Sequence, residues 1–255
     1  MSDPVARFSN RVENYARYRP NYPVGVIDIL KSDCGLTETS TIADFGSGTG
    51  KLSELFLKNG NHVIGIEPNT AMRLAAERLL TGFANFVSTD ATAEASTLEP
   101  ASVDFITAGQ SFHWFDREKA RREFARILKP GGWVVLIWNE RRLDSSPFLR
   151  DYENLLLRYG TDYAKVRHEN VAGQIAQFFA PETFQLKKLE NAQRFDFESL
   201  KGRTRSASYT PEPGTPNFEP MFAKLKEIFK AHESNGIVTF EYKTSVYYGH
   251  LTPNG

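Results

Sequence analysis

The feature that most restricts how this chain can fold is a run of glycines between a short apolar segment and an amphipathic one. Ile42-Ala43-Asp44-Phe45 leads into Gly46-Ser47-Gly48-Thr49-Gly50, and Lys51–Asn59 follows with Leu52, Leu55 and Phe56 at helical spacing. Glycines at alternate positions let a backbone turn tightly and approach another group with no Cβ in the way. A buried strand that turns through glycines into a helix is also the opening unit of an open α/β sheet, where ligands meet the helix N-terminus. Taken alone, the segment reads equally well as a plain glycine turn.

The flanking pattern extends the α/β reading. His62–Ile66 predicts a second strand and Thr70–Leu80 a helix carrying Met72, Ala75, Ala76 and Leu79. Ala84–Ser88 and Val103–Ala108 predict the third and fourth strands, and Arg117–Leu128 a helix. Lys129-Pro130-Gly131-Gly132 reads as a sharp stop before a fifth strand over Trp133–Trp138. Apolar strands alternating with amphipathic helices predict a doubly wound, mostly parallel α/β sheet with helices on both faces. Residues 140–182 look helical with no clear strand, Phe184–Phe195 predicts a sixth strand, and Ile237–His250 a long last one. Phe197–Ser206 and Phe218–His232 are helical, with a proline-rich loop between them. At 255 residues the expectation is a single domain, with 140–182 and 197–234 as helices of a cap on the substrate side. The first 23 residues are aromatic and basic, with no helical period, and Val24–Leu30 reads as a short helix.

Charge and cysteine usage narrow the partners. Lys plus Arg equals Asp plus Glu at 31 each, so no basic excess suggests a nucleic-acid partner. Cys34 is the only cysteine and the histidines are scattered, so no disulfide and no metal centre are expected. MSDPVARFSN has no apolar signal core, and no apolar run approaches the about 20 residues that span a bilayer, so a cytoplasmic protein without a membrane partner is expected.

The glycine loop separates nucleotide motifs. A P-loop needs glycine where Phe45 stands and Ser or Thr where Leu52 stands, so it fails twice. A dehydrogenase fingerprint needs its third glycine where Lys51 stands, which weakens an NAD-dependent oxidoreductase but keeps it as the alternative. The pattern from Asp44 to Gly50, followed by Val63–Asn69, Asp90-Ala91, Val103-Asp104-Phe105-Ile106 and Leu128–Gly132, resembles the class I S-adenosylmethionine-dependent methyltransferases. Phe8-Ser9-Asn10, Tyr15-Ala16-Arg17-Tyr18-Arg19-Pro20 and Gln110–Phe115 resemble its small-molecule branch, which includes trans-aconitate methyltransferases. The resemblance implies a seven-stranded sheet whose last strand inserts antiparallel beside the fifth. It also implies S-adenosyl-L-methionine as the cofactor and a small-molecule methyl acceptor.

Site roles follow from the resemblance. Gly46, Ser47, Gly48 and Gly50 would line the cofactor, with Asp44 acting on its methionine part or only ordering the loop. Glu67, followed by Pro68, would accept the ribose hydroxyls, and its charge would repel a 2′-phosphate; otherwise it is an ordinary surface Glu. Asp90 would accept from the adenine amino group and Ala91 donate its amide, unless Asp90 only shapes a turn. Gln110, Tyr18 and Arg19 join the cofactor set, Arg19 pairing with the cofactor carboxylate. Residues 1–30 would form a lid, with Tyr15, Tyr18 and Tyr22 excluding water, unless they are only a loosely attached arm. On the acceptor side stand Tyr22, Trp114, Asn139 and Arg141, with His113 either a general base, an orienting group or a packed residue. Arg141, Arg142, Arg203 and Arg205 could bind an acidic acceptor, and a carboxylate nucleophile is ionised without help from a base. Solvated arginines are the alternative. Ala108-Gly109-Gln110-Ser111 lacks the [DN]-P-P-[YF] pattern of base amino-methylation. A protein that binds the cofactor without turnover also fits, and the oligomeric state stays open.

Overall fold

The computed structural model describes residues 12–163 and 171–252. Phe8-Ser9-Asn10, Arg7, Arg11 and His168 lie outside them. Seven strands form one sheet in the order β3-β2-β1-β4-β5-β7-β6. They are β1 Thr41–Phe45, β2 His62–Ile66, β3 Phe86–Thr89, β4 Val103–Gly109, β5 Leu128–Arg141, β6 Phe184–Phe195 and β7 Val238–Gly249. β1 to β5 pair in parallel, while β7 runs antiparallel between β5 and β6, as the resemblance implied. Among the described residues the α-helices are α1 Val12–Tyr18, α2 Gly25–Cys34, α3 Lys51–Lys58, α4 Thr70–Leu79, α5 Arg117–Ile127, α6 Pro147–Tyr159, α7 Val171–Phe179, α8 Phe197–Arg205 and α9 Phe218–His232.

Alternation along the strands builds two cores, because successive side chains point to opposite faces. On β5, Val134, Leu136 and Trp138 join Phe45 and Phe124 on one face, while Val135 and Ile137 join Ile42 and Phe56 on the other. Both faces are covered, so the central strands are mostly apolar, with Asp44 of β1 and Asp104 and Thr107 of β4 as exceptions.

Three expectations change. The N-terminal block contains a helix, α1, although it has no apolar period; α1 has no buried residue and is held by contacts with α8. The third strand begins at Phe86, because the Phe86 amide closes a turn on Phe83 O and the Asn85 side chain is tied to Gly60 and Asn61. Lys129–Gly132 is not a stop but an irregularity inside β5, where the register against β4 jumps from Val103↔Leu128 to Phe105↔Trp133. Gly131 takes up the kink at φ 78°, and Lys129 Nζ holds Asp104 at 2.9 Å. β5 also runs three residues past Trp138, so the strand itself carries Asn139, Glu140 and Arg141.

The cap grows out of the antiparallel β6–β7 pair, whose connection carries α8 and α9. β7 pairs with β5 only as far as Arg141↔Tyr242, whereas it pairs with β6 on to Phe195↔Val238. The β6–β7 pair therefore overhangs the carboxyl end of β5. Phe195, Phe240 and Tyr242 on this overhang pack with Tyr152 of α6, Leu200 of α8 and Leu225 of α9 in a third core. Phe240 is fully buried against Phe148, Tyr152 and Phe195, and deleting such a ring costs about 3–5 kcal/mol.

Candidate active site

Strand order reverses between β1 and β4, so a crevice opens at their carboxyl ends. Ser111 closes its floor by donating to Phe45 O at 2.8 Å, and the Gly46 amide donates to Ile66 O at 2.8 Å. Gly46 has φ 62°, and a Cβ there would lie 2.5 Å from Ser111 Cβ, so no other residue fits. Gly48 differs. Its φ is 57°, but a Cβ would meet only Gly46 O at 4.0 Å, so this is the side from which a ligand can reach the backbone.

The Gly48 amide donates to Glu67 Oε2 at 2.9 Å, and the Asn69 amide donates to Oε1 at 2.8 Å. Both carboxylate oxygens keep a lone pair for a further donor. Burial raises the Glu67 pKa against these two amide bonds. Asp44 is fully buried, accepting from Ser53 at 2.6 Å and from Thr107 at 3.0 Å. Burial pushes its pKa up to about 6, with the Glu67 charge adding to the rise. Asp44 thus ties β1 to α3 and β4.

Arg73 is a residue that the sequence reading missed. Asn69 caps α4 by accepting from the Met72 amide, which places Arg73 in the first turn. From there Arg73 donates to Glu67 O and to Asp90 Oδ2, each at 2.8 Å, joining the ends of β2 and β3. Asp90 is largely exposed, whereas Ala91 is buried. An arginine one turn after a capped start, near two strand-end acids, is the only available signal.

At the end of β4, Gln110 has φ 58°, rare for a residue with a Cβ. Its amide side chain accepts from Asn139 N at 3.0 Å and donates to Asn139 O at 3.4 Å, bridging β4 and β5. A short 3-10 turn, Phe112–Trp114, follows. Phe112 anchors it in the core, the His113 and Trp114 rings lie 4.7 Å apart, and Trp114 is 40% exposed.

The chain from α1 to Tyr22 crosses the crevice. A Cβ on Gly202 of α8 would overlap the Tyr18 ring, and Gln193 donates to Tyr18 O at 3.3 Å. Arg19 donates to Ser206 O at 3.0 Å. Asn21 O accepts from Asn139 and Asn191, while Lys51, the first residue of α3, donates to Asn21 Oδ1 at 2.9 Å. The Tyr22 hydroxyl packs against Gly109, with Asp44 and Arg19 as its charged neighbours; burial, then Tyr15 and the Asp44 charge, raise its pKa well above the usual phenol range, while Arg19 opposes the rise. The sequence offers Lys51 as a residue that weakens the dehydrogenase reading and gives no signal for Asn21.

The arginines divide. Arg141 pairs with Glu153 and donates to the Tyr163 hydroxyl at 3.1 Å, so it is not free surface charge. Asn139 is buried, and its Oδ1 accepts from Thr244 at 2.6 Å. Arg203 is buried, while Arg205 is exposed over the Phe218 ring and Arg142 faces Glu190 and Glu241.

Residues 43–136 match the Methyltransferase domain family. An uncharacterized methyltransferase of Schizosaccharomyces pombe is 31% identical over 88% of this chain and 87% of its own length. The chain belongs to the class I S-adenosylmethionine-dependent methyltransferases. An uncharacterized methyltransferase of Mycobacterium tuberculosis is 35% identical over 54% of each chain. Among solved structures, a candidate type II methyltransferase from Anaeromyxobacter dehalogenans superposes with a TM-score of 0.69, 20% identity and coverage of 93% of this chain and 100% of its own, a likeness of fold. Membership removes the oxidoreductase alternative. In this methyltransferase the open side of Gly48, the Glu67 carboxylate and Asp90 follow the carboxyl ends of β1, β2 and β3 along one edge of the sheet.

Proposed function

We propose that this methyltransferase transfers a methyl group from S-adenosylmethionine to a small-molecule acceptor held beneath the N-terminal segment. The observation that carries the reading is the segment itself, laid from Tyr18 against α8 to Asn21 on Lys51, across the mouth of the glycine-loop crevice. A site covered in this way admits a small molecule more readily than a folded macromolecule.

When bound, the cofactor supplies a methyl group on a positively charged sulfur, which passes to the acceptor's nucleophile while the carbon–sulfur electron pair returns to sulfur. The chain positions and dries the partners. Glu67 takes the ribose hydroxyls, with Pro68 shaping the strand end that carries it. Asp90, fixed by Arg73, takes the adenine amino group, and Ala91 offers its amide. Gly46, Ser47, Gly48 and Gly50 let the backbone approach, and Asp44 faces the cofactor's ammonium. Arg19 takes the cofactor carboxylate, and of the expected lid over residues 1–30 the described part, from Val12, covers the site, with Tyr18 and Tyr22 keeping water out. Gln110 shapes the crevice through its bond to Asn139, more than by touching the cofactor. Trp114 and Tyr22 wall the acceptor side, and His113 is the candidate base for an acceptor that must lose a proton. A carboxylate acceptor would need none.

Calorimetric titration of the full chain with S-adenosylhomocysteine tests the reading. Saturable one-to-one binding is expected, and absence of binding by folded protein overturns it. Release of S-adenosylhomocysteine in an acceptor screen then identifies the other substrate.

A further inference from the structure

The cap buries more positive charge than it neutralises. Arg141 and Arg203 come from different elements, the end of β5 and the last turn of α8. The Arg141 side chain is 9% exposed and Arg203 is 5% exposed. Glu153 of α6 pairs with Arg141, but among the described residues no carboxylate pairs with Arg203. One nitrogen on each guanidinium, Nη1 of Arg141 and Nη1 of Arg203, is buried with no hydrogen-bond partner. Arg203 Nε reaches only the Tyr242 hydroxyl, at 3.4 Å, and that hydroxyl already donates to Gln193.

The surroundings are aromatic. The Arg141 guanidinium lies over Tyr152 at 5.1 Å and that of Arg203 over Phe240 at 5.7 Å, while Tyr209 interacts electrostatically with both and with Arg19. Guanidinium groups do not give up their protons inside proteins. Ring faces hold such a cation but do not satisfy its N–H groups. A buried donor left unpaired is destabilising, and a buried charge more so. The group that would satisfy a planar fork of N–H donors is a carboxylate or a phosphate. The two sites are linked to each other and to the crevice: Tyr152, beneath Arg141, shares a hydrogen bond with Thr204 beside Arg203, and Ser206 O at the end of the same helix accepts from Arg19 at 3.0 Å.

We propose that Arg203 and Arg141 bind an anionic group of the methyl acceptor, a carboxylate or a phosphate, set apart from the atom that is methylated. This rests on the methyl-transfer reading above, with Arg19 left to the cofactor's carboxylate. The bland alternative is that both arginines only glue the cap together. It differs in one respect: glue does not titrate with added anion.

The test is calorimetry on the full chain saturated with S-adenosylhomocysteine, with succinate and inorganic phosphate titrated separately at constant ionic strength in chloride. At least one is expected to bind one-to-one, succinate alone assigning a carboxylate and phosphate alone a phosphate. Arg203→Met should weaken that binding tenfold or more, leaving S-adenosylhomocysteine affinity within twofold. Arg205→Met, on the exposed side of the same helix, should leave both unchanged. If Arg203→Met does not fold, Arg203→Lys keeps the charge but loses the fork, and a loss of at least threefold is expected. S-adenosylhomocysteine binding with neither anion bound, or anion binding equal to wild type in the folded Arg203 variant, overturns the proposal. Anion binding that depends on Arg203 in a protein that takes no S-adenosylhomocysteine keeps the anion site and overturns methyl transfer.

Discussion

Gly202 of α8 faces the ring of Tyr18, with no room between them for even a methyl group. The N-terminal helix is thereby seated on the cap by one close contact, reinforced by the bonds from Gln193 to Tyr18 O and from Arg19 to Ser206 O.

Gly202→Ala separates two opposing effects. Alanine favours a helix over glycine by about 1 kcal/mol. Overpacking against Tyr18 costs about 1–3 kcal/mol. The expected outcome is net displacement of Tyr18, seen as faster proteolysis within residues 12–22 and weaker S-adenosylhomocysteine binding. Unchanged cleavage with raised thermal stability would show that the contact does not hold the segment.

Glu67→Ala should weaken S-adenosylhomocysteine binding by about 1–3 kcal/mol, through loss of charge-assisted hydrogen bonds to the ribose. The variant also frees the Gly48 amide, so the comparison is best made with Glu67→Gln, which keeps an acceptor on one side. Calorimetry on both variants, with circular dichroism to confirm folding, reads the effect. Affinity equal to wild type in both would remove the ribose role.

Asp44 carries a pH signature. Its folded pKa of about 6 lies above the usual carboxylate value, because burial disfavours the charged form. The folded state therefore holds a proton that the unfolded chain has released, and stability falls as pH rises from about 4 to about 6, by about 3 kcal/mol in all. Binding a cationic ammonium beside Asp44 favours its ionised form, so S-adenosylhomocysteine affinity should rise over the same window. Asp44→Asn should flatten both trends when followed by chemical denaturation and calorimetry between pH 4.5 and 7.5. Full retention of both slopes in the variant would assign them to another group.

Glu153→Gln leaves the Arg141 charge buried without its partner. Removing one member of a buried pair costs about 3–5 kcal/mol. Urea denaturation should show this loss, and Glu153→Gln combined with Arg141→Met should recover part of it. Additive losses in the double variant would mean that the two side chains do not act as a pair.

The sheet was legible because its signals are local. Apolar runs, helical spacing and glycines between them depend on neighbours a few residues apart, and they put Asp44–Gly50, Glu67 and Asp90 at successive strand ends. The helix α1 was not legible, since its support is the remote Gly202 and not an apolar stripe of its own. Nor was the continuation of β5 through Lys129–Gly132, where pairing with β4 overrides the turn chemistry of proline and glycine.

For the arginines, sequence by itself determined only that Arg141, Arg142, Arg203 and Arg205 fall near the right strand and helix ends. Tertiary structure alone decided that Arg203 turns inward under Phe240 while Arg205, two residues later, turns out to solvent. The reason is physical: one charged side chain looks like another in a sequence, and what it does depends on which groups distant parts of the chain bring against it. The same holds at the crevice, where Asn21 and Lys51 meet only because the N-terminal segment folds back over the sheet.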